Sequence, residues 1–430
     1  MESEVNNIFK KIKRLYREIY TDYTKYDILI NNDVIDIKET FLKILRKNSD
    51  LKIPNKKKQK YYIKKVTDNI TLKLLLTYAM FYYFDNIQKL KSGPYKNLMI
   101  GLDFEFSENK IALCQIGFFP FKRFKYIFIL DPKMLSEKKK LLFIQTMFTS
   151  SIYKITHGSE SLDLPYIYEQ LFENNKTYIF DFTKMMIDTR FLCEYFKIFF
   201  KSSDRKCSIY DALLHFNVIN NTKFIELNKI NDSMGPVQDV RWNIKKMSSY
   251  HLKYVLYDVL YLKEFVINVF KLSLEKNNSL YQQLKYISQI NRFICYEKYD
   301  VSEILKETKM LVDPMNNYIV YPKFQENKKT MITIYGEVME FIILPSIDMK
   351  ITKLLDINNF KKPLILLFKR IIYGIILEKY QVYENKKDKV HSHIEYTNIL
   401  KKLIDLKLER FSILIDNFIE SVKVNIIKLV

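Results

Sequence analysis

Glycine is scarce in this sequence, seven in 430 residues. None of the seven builds a glycine-rich phosphate loop or a G-x-S-x-G nucleophile elbow, so nucleotide-cradling and serine-hydrolase chemistries lose their usual signatures. The four cysteines, Cys114, Cys193, Cys207 and Cys295, are far apart and form no C-x-x-C pair. Neither a zinc knuckle nor a disulfide framework is therefore expected. His391 and His393 lie two apart, off a common helical face, and are not expected to hold a metal. Long apolar runs are missing too: lysine and arginine interrupt each one before it reaches the length of a membrane span. The opening Met1-Glu2-Ser3-Glu4 does not read as a signal peptide. These absences predict a soluble protein in a reducing intracellular compartment, cytoplasm or nucleus. No internal repeat is visible.

What is present is a sizeable hydrophobic fraction, 48%, which excludes a mainly disordered chain and at this length predicts two or three domains. The net charge of +21 favours a polyanionic partner, nucleic acid before membrane. Part of that charge is compositional, because abundant Lys, Ile, Asn and Tyr with little Gly and Pro is what an AT-rich coding sequence produces.

Residues 1–95 are expected to be a helical N-terminal region. Ile8, Ile12, Leu15 and Ile19 recur at helical spacing, and residues 70–91 resume a helix rich in Leu, Tyr and Phe. Between them lies a basic stretch, 52–65, with Lys52, Lys56, Lys57, Lys58, Lys60, Lys64 and Lys65 around Tyr61 and Tyr62. It reads either as a solvated loop or as a stretch that grips nucleic acid by phosphate contact and stacking. Lys56, Lys57, Lys58, Lys60, Tyr61 and Tyr62 are its candidate contacts.

From about residue 97 the pattern changes to strands: 98–106, 111–119 and 125–130 in a meander, then 153–156 after a helix over 135–148. Residues 178–182 are another strand candidate. Helices are expected at 188–200 and 207–217, a polar loop over 218–247, and a helix from Ser248 or Ser249. Residues 276–430 read as a mostly helical C-terminal domain, with helices over 278–297, 352–382 and 392–428. Two strand-like stretches, 318–321 and 331–335, interrupt it.

The stretch Met99 to Phe106 carries the chemistry. On a strand, residues two apart share a face, so Asp103 and Glu105 lie side by side on an otherwise apolar element. Two such carboxylates repel each other and resist burial, and a divalent cation that prefers carboxylate oxygen is the natural compensation. Two further acids sit in apolar surroundings: Asp163, at a strand–helix junction just before Pro165, and Asp258, one turn after Tyr254 on a helix packed through Leu252, Val255, Val259 and Leu262.

The order and contexts of these residues resemble the DEDD superfamily of 3′–5′ exonucleases, in its RNase D-like, tyrosine-containing branch. Leu102-Asp103-Phe104-Glu105 matches the first motif, His157-Gly158 through Asp163 the second, and Tyr254-x-x-x-Asp258 the third. Ile187-Asp188-Thr189, and Trp242 ahead of the last helix, also fit. The resemblance covers roughly 97–270. It departs from the family in one place: Asp163 lies six residues after His157, where many relatives have five, and Glu160 is the rival ligand in that loop. A sibling branch places histidine five residues before the last aspartate; position 253 here is lysine.

The resemblance implies an RNase H-like α/β exonuclease domain over 96–275, with a mixed sheet and flanking helical regions. It implies Asp103, Glu105, Asp163 and Asp258 as ligands of two divalent ions, Mg²⁺ or Mn²⁺. Tyr254 would orient the attacking water, and His157, Arg241 and Trp242 would join the nucleic-acid contacts. The expected reaction is hydrolysis from the 3′ end to nucleoside 5′-monophosphates, with RNA favoured over DNA. The alternatives are a DNA-directed exonuclease and a catalytically silent nucleic-acid-binding or scaffold protein on the same fold. No membrane partner is expected, and the C-terminal helical region is a candidate surface for a protein partner.

Overall fold

The structure is a computed structural model that describes residues 1–54, 60–91, 98–107, 110–120, 124–149, 151–159, 163–204, 206–235, 240–288, 294–299 and 338–343. Helices α1 (Glu2–Thr21), α2 (Tyr26–Leu29) and α3 (Asn32–Lys47) lead into strands β1 (Leu51–Pro54) and β2 (Lys60–Val66) and the long helix α4 (Asn69–Lys91). The meander follows as β3 (Met99–Ser107), β4 (Lys110–Phe118) and β5 (Phe124–Leu130). Next come α5 (Glu137–Phe143), β6 (Tyr153–Thr156), α6 (Asp163–Tyr166), α7 (Lys176–Lys184), β7 (Met186–Asp188) and α8 (Thr189–Phe199). Helices α9 (Ile209–His215), α10 (Asn221–Met234), α11 (Ser249–Leu260), α12 (Leu262–Lys276) and α13 (Asn278–Ile287) precede an antiparallel pair, β8 (Ile294–Tyr299) and β9 (Val338–Ile343).

The first seven strands form one mixed sheet in the order β1-β2-β5-β4-β3-β6-β7. β3, β4 and β5 are antiparallel neighbours, whereas β6 runs parallel to β3, β7 parallel to β6 and β2 parallel to β5. This is the α/β class the sequence predicts. β3 is a central strand, so its backbone is held on both sides and its side chains alternate between two covered faces.

α4 covers the face that carries Leu102 and Phe104. Its Tyr78 ring lies 4.8 Å from both Phe118 and Tyr126, and Tyr82 Oη donates to the Met99 carbonyl at 2.7 Å. The outer side of α4 is covered in turn, with Tyr83 against Tyr16 of α1 and Phe81 against Phe41 of α3. A helix enclosed on every side must be apolar all round, which explains its continuous run of Leu, Tyr and Phe.

α11 covers the opposite face. It can approach because two glycines face it: a Cβ added at Gly101 would lie 2.9 Å from the Val259 carbonyl oxygen, and Gly117 is close to the Val259 side chain. Gly101→Ala is expected to cost about 1–3 kcal/mol by overpacking and to push α11 off the sheet. Urea denaturation measures it, and an unchanged midpoint would mean that the helix does not sit this close.

Several expectations change. The basic stretch 52–65 falls largely on strands, because Tyr61, Ile63 and Val66 are buried where β2 extends the sheet beside β5. Residues 178–182 are helical, started by the Asn175 side chain, which accepts from the Thr177 and Tyr178 amides. The polar stretch 218–247 contains α10, capped by Asn220 and ended at Gly235 with φ +67°. Only Leu227 and Ile230 of α10 are buried, so its periodic signal is faint. The helix expected over 278–297 stops at Ile287, and 294–299 is a strand. Residues 318–321, 331–335, 352–382 and 392–428, with His391 and His393, lie outside the described residues.

The cysteine expectation is also corrected. Cys193 and Cys207 form a disulfide, with Cα atoms 6.1 Å apart, joining α8 to the segment before α9. Fourteen residues of separation and no motif gave no sign of it. Cysteine spacing therefore no longer supports a reducing compartment. No described helix is long and apolar enough to cross a membrane.

Candidate active site

Asp103 and Glu105 project from the middle of β3 on the α11 side. The register places Asp103 opposite Gln115 and Glu105 opposite Leu113, and the ladder then slips between Glu105 and Phe106. That irregularity comes directly after the second carboxylate, and its extra residue is Ala112 of β4, skipped between the Glu105–Leu113 and Phe106–Ile111 pairs. α11 supplies the third acid. Its start is fixed by a capping box, in which the Ser248 hydroxyl accepts from the His251 amide and His251 Nδ1 accepts from the Ser248 amide. Two and a half turns on, Asp258 meets the strand pair. One oxygen from each of Asp103, Glu105 and Asp258 lies within 4.8 Å of the others.

Three anions this close in a covered site are unfavourable by themselves. Burial pushes Asp103 up to about 7. Burial also raises Glu105 far above the usual carboxylate range, and the charges of Asp103, Asp258 and Asp163 push the same way. Asp258 is raised by burial and by Asp103. The relief the chain provides is neutral: Gln115 Nε2 donates to Glu105 Oε1 at 3.0 Å, and Tyr210 Oη donates to Asp258 Oδ1 at 3.2 Å. Among the described residues no lysine or arginine forms an ion pair with any of the three. An all-oxygen donor set lacking a protein counter-charge fits a divalent cation of the Mg²⁺ or Mn²⁺ type.

Asp163 stands in the first turn of α6, outside the tight trio, and its charge acts on Glu105. The loop leading to it is shaped by Asp188, the N-cap of α8. Its carboxylate accepts from the Gly158 amide at 2.9 Å and from the Ser159 amide and hydroxyl, each at 2.8 Å. Burial pushes Asp188 up, but the neighbouring His157 and these hydrogen bonds outweigh it and hold the carboxyl below its usual range. Glu160 lies outside the described residues.

Tyr254, one turn before Asp258, is half-buried, and its ring stacks on Trp242 at 6.0 Å. The Trp242 segment is fastened to the end of β3, since Ser107 Oγ donates to the Val240 carbonyl and accepts from the Trp242 amide. The Tyr254 hydroxyl makes no hydrogen bond among the described residues. Burial and then the Asp258 charge raise its pKa far above the ordinary phenol value, so it stays protonated and able to donate.

No family model matches the sequence. An uncharacterized protein of Acanthamoeba polyphaga mimivirus is 31% identical over 372 residues, which is 82% of this chain and 71% of the viral protein. The chain belongs to that protein's family. Among solved structures, the crystal structure of the Aedes aegypti Nibbler EXO domain matches with a TM-score of 0.36 and 11% identity, over 52% of this chain and 94% of that domain.

In this member of the viral protein's family, the structure brings together Asp103, Glu105 and Asp258, with Tyr254 beside them and Asp163 close by. Other candidates are placed differently. Both ring nitrogens of His157 are engaged inside the protein, Nδ1 with the Thr189 hydroxyl and Nε2 with the Cys207 carbonyl, each at 2.9 Å. Tyr61 and Tyr62 are buried, and Tyr62 stacks on Tyr126 at 5.5 Å, so their rings are occupied by packing rather than turned to a strand of nucleic acid. Arg241 is exposed. Lys56, Lys57 and Lys58 lie outside the described residues, as does the side chain of Lys60. Sequence reasoning missed Gln115, although it is the one strongly polar residue between Ile111 and Phe119. It also missed Tyr210, one of 32 tyrosines with nothing in the sequence to single it out.

Proposed function

We propose that the chain is a divalent-cation-dependent 3′–5′ exonuclease that hydrolyses phosphodiester bonds of nucleic acid, RNA in preference to DNA, and releases nucleoside 5′-monophosphates. The observation that carries this reading is the convergence of Asp103, Glu105 and Asp258 without a protein counter-charge, beside a Tyr254 hydroxyl left open to bond. Asp103, Glu105, Asp258 and Asp163 would hold two ions, Mg²⁺ or Mn²⁺. When bound, such a pair supplies the positive charge that makes a water acidic and steadies the leaving oxygen. The residues do the rest. Tyr254 donates its proton in a hydrogen bond that orients the attacking water, without ionising. Tyr210 holds Asp258 Oδ1 and fixes which oxygen of that carboxylate faces the centre. Trp242 keeps the Tyr254 ring in place, and Arg241 beside it is a phosphate contact for the scissile strand.

The exonuclease unit in this reading is 96–275, with the C-terminal region free to dock a partner. The presence of all four acids and the tyrosine weighs against a silent scaffold. The direct test is hydrolysis of 5′-labelled and 3′-labelled RNA, single-stranded DNA and duplex DNA with Mg²⁺ or Mn²⁺. A 3′–5′ enzyme shortens the 5′-labelled strand in a ladder and frees the 3′ label as a mononucleotide in the first turnover; internal fragments from both labels would replace this reading with an endonuclease. Tyr254→Phe should lower turnover roughly a hundredfold while leaving binding of uncut oligonucleotide within about twofold. An equal loss in both would make the hydroxyl structural.

A further inference from the structure

On the far side of the sheet from the carboxylates, three elements converge on the start of α4. Lys73 of α4 hydrogen-bonds Asn6 of α1, and Lys139 of α5 hydrogen-bonds Asn69, one turn before Lys73. Asn6, Lys10, Lys13 and Arg17 follow one another at spacings of four, three and four, so they form a stripe along α1. Lys138 of α5 lies close enough to Lys13 to repel it. Lys13 is pulled below the usual lysine range, first by partial burial and then by Arg17 and Lys138.

None of Lys10, Lys13, Arg17, Lys73, Lys138 and Lys139 forms an ion pair among the described residues. Two nearby acids are engaged elsewhere, Glu173 on Lys140 and Glu18 on Arg14. The partners that Lys73 and Lys139 do find are neutral amides. A folded surface that gathers like charges and leaves them uncompensated is complementary to a polyanion.

We propose that this seam of α1, the start of α4 and α5 is a phosphate-backbone track for polynucleotide, separate from the carboxylate centre. The choice of nucleic acid rests on the nuclease reading, and one structural fact separates it from an anionic membrane. A basic helix that binds lipid buries its apolar face in the bilayer. The apolar face of α1, with Val5, Ile8, Ile12, Leu15, Tyr16 and Ile19, is already buried in the protein. The outward stripe of Lys10, Lys13 and Arg17 is cationic, which suits a soluble phosphate chain.

The sheet and the α4 layer separate the carboxylate centre, which lies between the sheet and α11, from the basic stripe of α1. At roughly 10 Å per layer, only a substrate that wraps around the protein can occupy both. The track therefore discriminates by length: a long strand binds both sites and a short one only the carboxylate centre.

The test is fluorescence anisotropy with the full chain in Ca²⁺, on RNAs with phosphorothioate 3′ linkages, so that the carboxylates have a counter-charge and binding is read without turnover. The probes are single-stranded RNAs of about 6 and about 30 nucleotides over a range of salt. The variant K13S/R17S/K138S should bind the long RNA about tenfold more weakly. Its slope of log affinity against log salt should be shallower by roughly two, at about 0.7 for each phosphate contact removed. Its affinity for the short RNA should not change, and K13R/K138R should behave as wild type. An unchanged slope, or an equal loss at both lengths, overturns the track. So does a variant that binds both RNAs normally but no longer binds phosphatidylserine vesicles that wild type retains. Failure of the nuclease reading looks different: no RNA is cut with Mg²⁺ or Mn²⁺, yet the variant still weakens binding of the long RNA and flattens its salt slope.

Discussion

Asp103→Asn is expected to reduce phosphodiester hydrolysis by on the order of a thousandfold or more, the scale seen when one preorganised electrostatic group is removed from an active site. The same variant should be more stable than wild type when divalent cations are chelated. Asp103 sits at the centre of the crowding, since its charge acts on both Glu105 and Asp258. Asparagine keeps the shape and removes the charge, so the two remaining carboxylates ionise at less cost. A catalytic acid and a structural acid thus give opposite results: a structural Asp103 would lose activity and stability together, whereas a ligand loses activity and gains stability in EDTA. Thermal denaturation with and without Mg²⁺, next to the hydrolysis assay, separates them. Asn should also abolish most of the upward shift in melting temperature that Mg²⁺ gives wild type. Full activity in Asp103→Asn would dismiss the carboxylate site.

How far the sequence leads can be judged residue by residue. β3 and its two acids were legible because alternation on a strand is a local property: two residues apart means one face, whatever the fold. The helix of Tyr254 and Asp258 was legible for the same reason at helical spacing, with Ser248 marking its start. That Asp258 meets Asp103 was not a local property, and only the resemblance of the three motifs predicted it. Gly101 shows what local reasoning misses. In sequence it is a small residue in a strand, and its role appears only once the Val259 carbonyl is seen 2.9 Å from where a Cβ would be. Tyr61 and Tyr62 erred the other way. Lysines on either side gave them the look of a nucleic-acid contact, but the parallel pairing of β2 with β5 is set by residues more than sixty positions away. The disulfide between Cys193 and Cys207 belongs to the same class, since it depends on how α8 turns toward α9.

The pH dependence of stability gives the second large effect, and its sign is opposite to that of most proteins' carboxylates. An acid held below its usual range by an ion pair contributes stability that is lost on acidification. At this site the folded state raises the pKa of Asp103 to about 7 and those of Glu105 and Asp258 above their ordinary values. Between the unfolded aspartate value near 4 and that folded value, the native state binds more protons than the unfolded chain. Stability of the metal-free protein therefore falls as pH rises through this window. In EDTA the melting temperature should be higher at pH 5 than at pH 8, by roughly 5 °C or more. Saturating Mg²⁺ or Mn²⁺ should close most of that gap, because a bound cation favours the ionised carboxylates that the protein alone disfavours. The stabilisation by the cation should then be largest at pH 8 and small at pH 5, where protons compete for the same oxygens. Asp188 provides an internal contrast: it is held below its usual range, so its contribution is lost only at lower pH and cannot produce a fall above pH 5. A melting temperature that rises between pH 5 and pH 8 in EDTA, or a cation shift that does not depend on pH, would mean that Asp103, Glu105 and Asp258 are not the cation's ligands.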